Sequence, residues 1–153
     1  SNYSYVAPDG KLGKYSMDAA SLAQLGYVQP GTADSQLNNP NVWTGKDGMN
    51  DATSFTQNSQ IQESSQFEIT KNNYAQLQNL GVITPTTSPD VVAGLLRASQ
   101  ATNTADVTKW YQSGVNSTDN TGTTISQYFN QGRYSQTQVG VINLSNASKN
   151  LAV

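Results

Sequence analysis

Two glutamates, Glu63 and Glu68, eight aspartates and no histidine or cysteine set the chemistry open to this chain. Without Cys there is no disulfide, no thiol nucleophile and no thiolate zinc site. Without His there is no Ser-His-Asp triad and no imidazole-ligated metal. An enzyme made from this inventory works through carboxylates, Lys, Tyr or a bound cofactor, and the sequence marks neither a metal site nor a cofactor. Glu63 and Asp18 are the catalytic candidates, as acids or bases. Each also has a plainer role: a Glu early in a helix is favoured by the helix dipole, and Asp18 stands where an N-cap is needed. Tyr15, Tyr27 and Trp43 are the candidate glycan-binding residues, because an aromatic face matches the apolar face of a pyranose. Trp110, inside an amphipathic pattern, reads as core. Asp47, in Gly45-Lys46-Asp47-Gly48, reads first as part of a tight turn.

The elements that must position these residues are mostly helical. Pro8-Asp9-Gly10 and Gly13 predict a turn between short extended pieces. Asp18 then caps a helix over Ala19 to Leu25, stopped by Gly26. Residues 27–50 carry three successive turn signals, with Val42-Trp43 pinning the loop to the core. A short helix is expected near Asp51 to Gln57, centred on Phe55. The clearest element runs from Ser59 to Leu80. It opens on a capping-box pattern, Ser59-Gln60-Ile61-Gln62, and carries an apolar stripe of Ile61, Phe67, Tyr74, Leu77 and Leu80. Ser88-Pro89-Asp90 opens a helix whose segment Val91 to Ala98 is apolar on most sides, as a buried central helix is. Thr104 or a neighbour caps a helix bearing Val107, Trp110 and Tyr111 and closing at Gly114. Thr123 or Thr124 caps the last, with Ile125, Tyr128 and Phe129 facing inward. Residues 1–134 thus form one expected domain, and 135–153 a polar tail or docking arm.

Composition narrows the setting. Charged residues are only 12% of the 153-residue chain, and Asn, Gln, Ser and Thr together supply 64 residues. Such a surface is soluble without charge and can pack closely against neighbouring subunits. Periodicity and caps that recur to about residue 134 argue against disorder. Net charge is −2, with eight Lys and Arg scattered singly, so no basic stripe marks a nucleic-acid partner. No apolar run approaches a membrane span, and no signal-peptide pattern opens the chain.

Several segments together resemble a lysozyme-superfamily domain of bacteriophage virion proteins and related cell-wall hydrolases. They are Asn2-Tyr3, Gly10 to Tyr15, Leu25 to Val28, Asn41 to Gly48, Gln62-Glu63, Asn73-Tyr74, Leu80 to Ile83, Val92 to Leu96, Lys109 to Tyr111, Gly122 to Thr124 and Gly132 to Tyr134. They occur in the family's order over roughly residues 2 to 138. The resemblance implies a mainly α, lysozyme-like helical domain with a small extended N-terminal region and long loops. In active members a Glu just before the Asn-Tyr pair protonates the glycosidic oxygen of peptidoglycan, which needs a carboxyl held protonated near neutral pH. Here Ser1 directly precedes Asn2-Tyr3. Serine allows removal of an initiating Met, so Ser1 is either a natural start or the edge of a longer precursor. Other departures fall where the family's cleft is lined. Ser16-Met17-Asp18 replaces Gln, an apolar residue and Gly; Ala7-Pro8 stands where an Asn is expected. Arg97 to Ala101 continues as helix where the family tends to carry a His and a Gly-rich turn. Glu63 matches a family position, and Asp18 lies near the expected cleft.

The expected function is therefore a non-catalytic structural or decoration protein of a virion or extracellular assembly. Its partners are further copies or other structural subunits, and its location is the virion or a cell surface. A module that binds peptidoglycan or another glycan without cutting it is the alternative. A third reading is an active muramidase whose Glu lies upstream of Ser1.

Overall fold

The structure, a computed structural model, describes residues 2–134. Internal contacts divide the chain into two compact units, Ser1–Ile69 and Thr70–Val153, and the division falls inside a helix. The expected tail, 135–153, lies outside the described residues. Among those described there are six α-helices and no strand, only isolated antiparallel bridges, so the chain is mainly helical. No helix among them is long and apolar enough to cross a membrane.

In the first unit, the N-terminal segment folds back on itself through bridges Val6–Leu12 and Leu12–Met17, the expected short extended pieces. Helix α1 (Ala19–Gln24) starts where Asp18 accepts a hydrogen bond from the Ser21 amide at 2.8 Å. The loop after it is held by the Val28–Trp43 bridge and by 3-10 turns at Asp34–Gln36, Pro40–Val42 and Lys46–Gly48. Helix α2 (Ala52–Thr56) is capped by Asp51, whose carboxylate accepts from the Ser54 amide at 2.7 Å. Phe55 is fully buried at the centre of a core that includes Leu12, Met17, Leu22, Tyr27, Leu37 and Trp43.

Helix α3 (Ser59–Asn79) differs from expectation at its start and along its face. The cap is Asn58, which accepts from the Ile61 amide at 2.9 Å, rather than a box between Ser59 and Gln62. The buried positions are Gln62, Ser65, Ile69, Asn73, Tyr74 and Leu77, whereas Phe67 and Leu80 are about half exposed. Spacings of three and four are those of a helix face, but three of its members are polar, so a search for apolar periodicity selects the wrong stripe.

In the second unit, α4 (Pro89–Ala101) is the expected buried helix, with Val92 to Leu96, Ala98 and Ser99 all inside. Helix α5 (Thr104–Ser113) is capped by Asn103 and closed by Gly114 in the left-handed region. Helix α6 (Ile125–Arg133) opens on a capping box between Thr124 and Gln127. Tyr111 on α5 is 45% exposed. Helices α4 and α6 cross closely. A Cβ on Gly132 would lie 2.6 Å from the Ala93 carbonyl oxygen and 2.9 Å from the Gly94 Cα, so no larger residue fits this crossing.

Candidate functional site

Three sequence segments far apart in the chain meet at Glu63, on the first turns of α3. Tyr3 Oη donates to Glu63 Oε1 at 2.7 Å, and Tyr15 Oη donates to Oε2 at 2.7 Å. Lys14 Nζ reaches Oε1 at 3.0 Å and lies over both tyrosine rings, 5.2 Å from the Tyr3 centroid and 5.1 Å from that of Tyr15. The neighbouring Gln62, only 2% exposed, holds the backbone of the same region. Its Oε1 accepts from the Lys14 amide at 3.1 Å, and its Nε2 donates to the Tyr3 and Phe55 carbonyls at 3.1 and 2.9 Å. Gly13 passes so near this amide that any Cβ would sit 2.2 Å from Gln62 Oε1.

Electrostatics follow from this geometry. The Tyr15 hydroxyl, then Tyr3 and Lys14, hold the Glu63 carboxyl at a pKa of about 2. Lys14 is raised, chiefly by its bond to Glu63, and Tyr15 is raised by burial and by the same carboxylate. A general acid must keep its proton near neutral pH. Glu63 is ionised there and acts as an acceptor and anchor. Because its folded pKa is depressed, the stability it contributes is full above about pH 4.5 and is lost as pH falls toward 2. Its side chain is 44% exposed, so solvent screening limits that contribution to about 1 kcal/mol. Acid titration of the unfolding midpoint should show this loss in the wild type and a flatter profile in Glu63→Gln.

The remaining candidates have structural roles. Asp18 caps α1, and its neighbours Ser16 and Met17 serve the local fold too. Met17 is 2% exposed, and Ser16 turns the chain at φ 47°. Trp43 is 7% exposed, with Nε1 donating to the Leu37 carbonyl at 2.9 Å and its ring 5.8 Å from Phe55. Tyr27 is 5% exposed; its hydroxyl donates to Asp47 at 2.9 Å and Lys46 Nζ lies 4.8 Å over its ring. Burial, then Asp47, raises the Tyr27 pKa. Trp43 and Tyr27 are thus packed into the core of this unit, each with its polar atom bonded within the chain. Tyr15 alone of the three stays half-buried, its hydroxyl committed to Glu63. Glu68 lies on the exposed side of α3.

Lys14 and Gln62 were not singled out as site residues from sequence. No local pattern marks them, because the bonds of Gln62 and Lys14 run to partners in other segments of the chain. Among the described residues, no three Asp or Glu side chains cluster as a metal site would require. A separate groove of about 360 Å³ in the first unit is lined by Pro8, Asp9, Asp34 and Asn38 among others, and by none of the Glu63 cluster.

Fold and site together define a mainly helical protein whose best-organised polar cluster is an ionised carboxylate gripped by two tyrosines and a lysine. No family model matches the chain, and neither does any curated protein or solved structure.

Proposed function

We propose that this chain is a non-catalytic structural or decoration protein of a virion or other extracellular assembly, built on a degenerate lysozyme-like fold. The observation that supports this is Glu63: held ionised by Tyr15, Tyr3 and Lys14, it has no proton to give and does not stand in for the acid that active members carry before the Asn-Tyr pair. The other carboxyls displaced from their usual pKa, Asp51, Asp90 and Asp119, also move down. Residues that depart from the family pattern at 16–18 serve the core and a helix cap. A low-charge surface rich in uncharged polar side chains suits close packing between subunits. Because fold alone does not set function, the supporting weight falls on these residues.

Sedimentation velocity of the protein over a wide concentration range tests the proposal. Species larger than the 16.4 kDa chain are expected. Suspensions of purified cell walls should keep their turbidity and leave the protein in the supernatant. A strictly monomeric particle, or clearing of the walls, overturns the proposal. Protein that pellets with the walls favours glycan binding instead.

A further inference from the structure

The groove of about 360 Å³ in the first unit has the volume of a small-ligand site and lies apart from the Glu63 cluster. Its lining combines apolar Val6, Pro8 and Ala52 with polar Asp9, Asp34 and Asn38. Backbone contacts fix its frame. The Gly10 amide donates to the Ala7 carbonyl at 2.9 Å, and the Ala7 amide donates to the Lys11 carbonyl at 2.8 Å. Gly10, at φ 100°, lies so close to the 3-10 turn Asp34–Gln36 that a Cβ would sit 2.3 Å from the Asp34 carbonyl oxygen. A frame tied at these points needs little ordering when a ligand enters.

The polar groups of the lining are acceptors with capacity to spare. Asp34 Oδ1 accepts from the Ala19 amide at 2.7 Å, which orients the carboxylate, while Oδ2 is bonded to no described residue. The exposed Asn38 amide is likewise bonded to no described residue. Asp9 pairs with Lys11 at 3.3 Å. Burial acts to lower the Lys11 pKa, but Asp9, then Asp34 and Asp18, raise it, so one ammonium lies in the field of three carboxylates. Lys11 does not line the groove, and neither Asp18 nor Asp34 has an ion pair among the described residues. The region therefore keeps a surplus of negative charge, and Val6, 55% exposed, offers apolar surface with it. An anion is repelled here. A neutral alkyl group gains the apolar contact alone, whereas an alkylammonium gains both contact and charge.

We propose that this groove binds a primary ammonium carried on a short aliphatic stem. Asp34 is its ion partner and the Asn38 carbonyl oxygen a second acceptor, with Val6, Pro8 and Ala52 against the methylenes. Such a group arrives either as a free alkylamine or as a lysine side chain of a peptide. The site lies wholly within the first unit and goes beyond the assembly reading, so it stands or falls independently of whether the chain associates.

Titration of the isotope-labelled full chain with n-butylammonium, read from the amide resonances of Gly10, Ser35 and Asn38, tests this. Saturable shifts with a Kd of about 1 mM are expected, a strength within reach of so small a ligand. n-Butanol has the same shape without the charge and should bind about tenfold more weakly or not at all. Asp34→Asn keeps an acceptor for the Ala19 amide and removes the charge, so it should cost about tenfold in affinity. Asn38→Lys, at an exposed position, places a competing ammonium in the groove and should abolish binding; it serves if Asp34→Asn fails to fold by circular dichroism. Nα-acetyl-lysine amide separates the two sources. Binding tighter than that of n-butylammonium assigns the groove to a peptide lysine, and weaker binding assigns it to a free amine. No saturable shift at tens of millimolar amine overturns the proposal. So do equal binding of n-butanol and a folded Asp34→Asn or Asn38→Lys variant that binds as well as the wild type.

Discussion

Trp43→Ala is expected to destabilise the first unit by about 4 kcal/mol, because it empties the centre of that core. The indole is 7% exposed and packs on Phe55, itself fully buried. Its Nε1–H is the partner of the Leu37 carbonyl, which would be left unpaired inside the protein. The residue also carries the bridge to Val28 that closes the long loop between α1 and α2. Trp43→Phe keeps most of the volume and loses the hydrogen bond, so its cost should be about 1–2 kcal/mol. Urea unfolding checks both values. The chain has two tryptophans, and Trp110 lies in the second unit, so its fluorescence in either variant reports that unit separately. A Trp43→Ala protein as stable as the wild type would show that the ring is not core. The same result governs how ligand experiments are read: lost binding in Trp43→Ala would report unfolding rather than a lost stacking platform.

Gln62→Leu should cost about 3 kcal/mol, although it replaces a polar side chain with an apolar one in a buried site. The amide joins three pieces of backbone through bonds to Lys14, Tyr3 and Phe55, at 3.1, 3.1 and 2.9 Å. Leucine satisfies none of them and strands one N–H and two carbonyls. Gln62→Glu tests the same point at constant shape. It turns a carboxylate oxygen toward two carbonyl oxygens, so the variant should be least stable where that carboxylate is ionised. Because its folded pKa would be raised, the variant should recover stability as the pH falls from that raised value toward about 4, with the recovery complete below it. Thermal unfolding of both variants at pH 7 and at low pH measures this. Equal stability of Gln62→Leu and wild type would mean that these bonds contribute nothing net.

These two residues show where sequence patterns stop being informative. Helix ends are local, and most were legible. Asp18 and Thr124 each cap from their own side chain to an amide three residues on. Gly114 ends α5 because a left-handed residue is needed there. At α3 the same local logic chose the wrong cap. Asn58 and Ser59 are adjacent and both suitable, and Gln62, the would-be partner in the box, is engaged by distant backbone. The buried face of α3 was hidden because Gln62, Ser65 and Asn73 are inside while Phe67 is outside. Hydropathy cannot signal a buried Gln whose partners lie in other segments.

The sequence by itself determined the helical class, most of the caps and the chemistry that His and Cys would have brought. Those properties depend on residue identity and on neighbours within about one turn. Tertiary structure alone decided that Tyr27 is interior, that Glu63 is ionised and that Arg97 rests on a tyrosine. Burial, pKa and ring contacts depend on groups brought together across long stretches of chain, 60 residues for Tyr3 with Glu63 and 48 for Tyr15 with the same carboxylate. Only folding places their dipoles and charges within hydrogen-bond range.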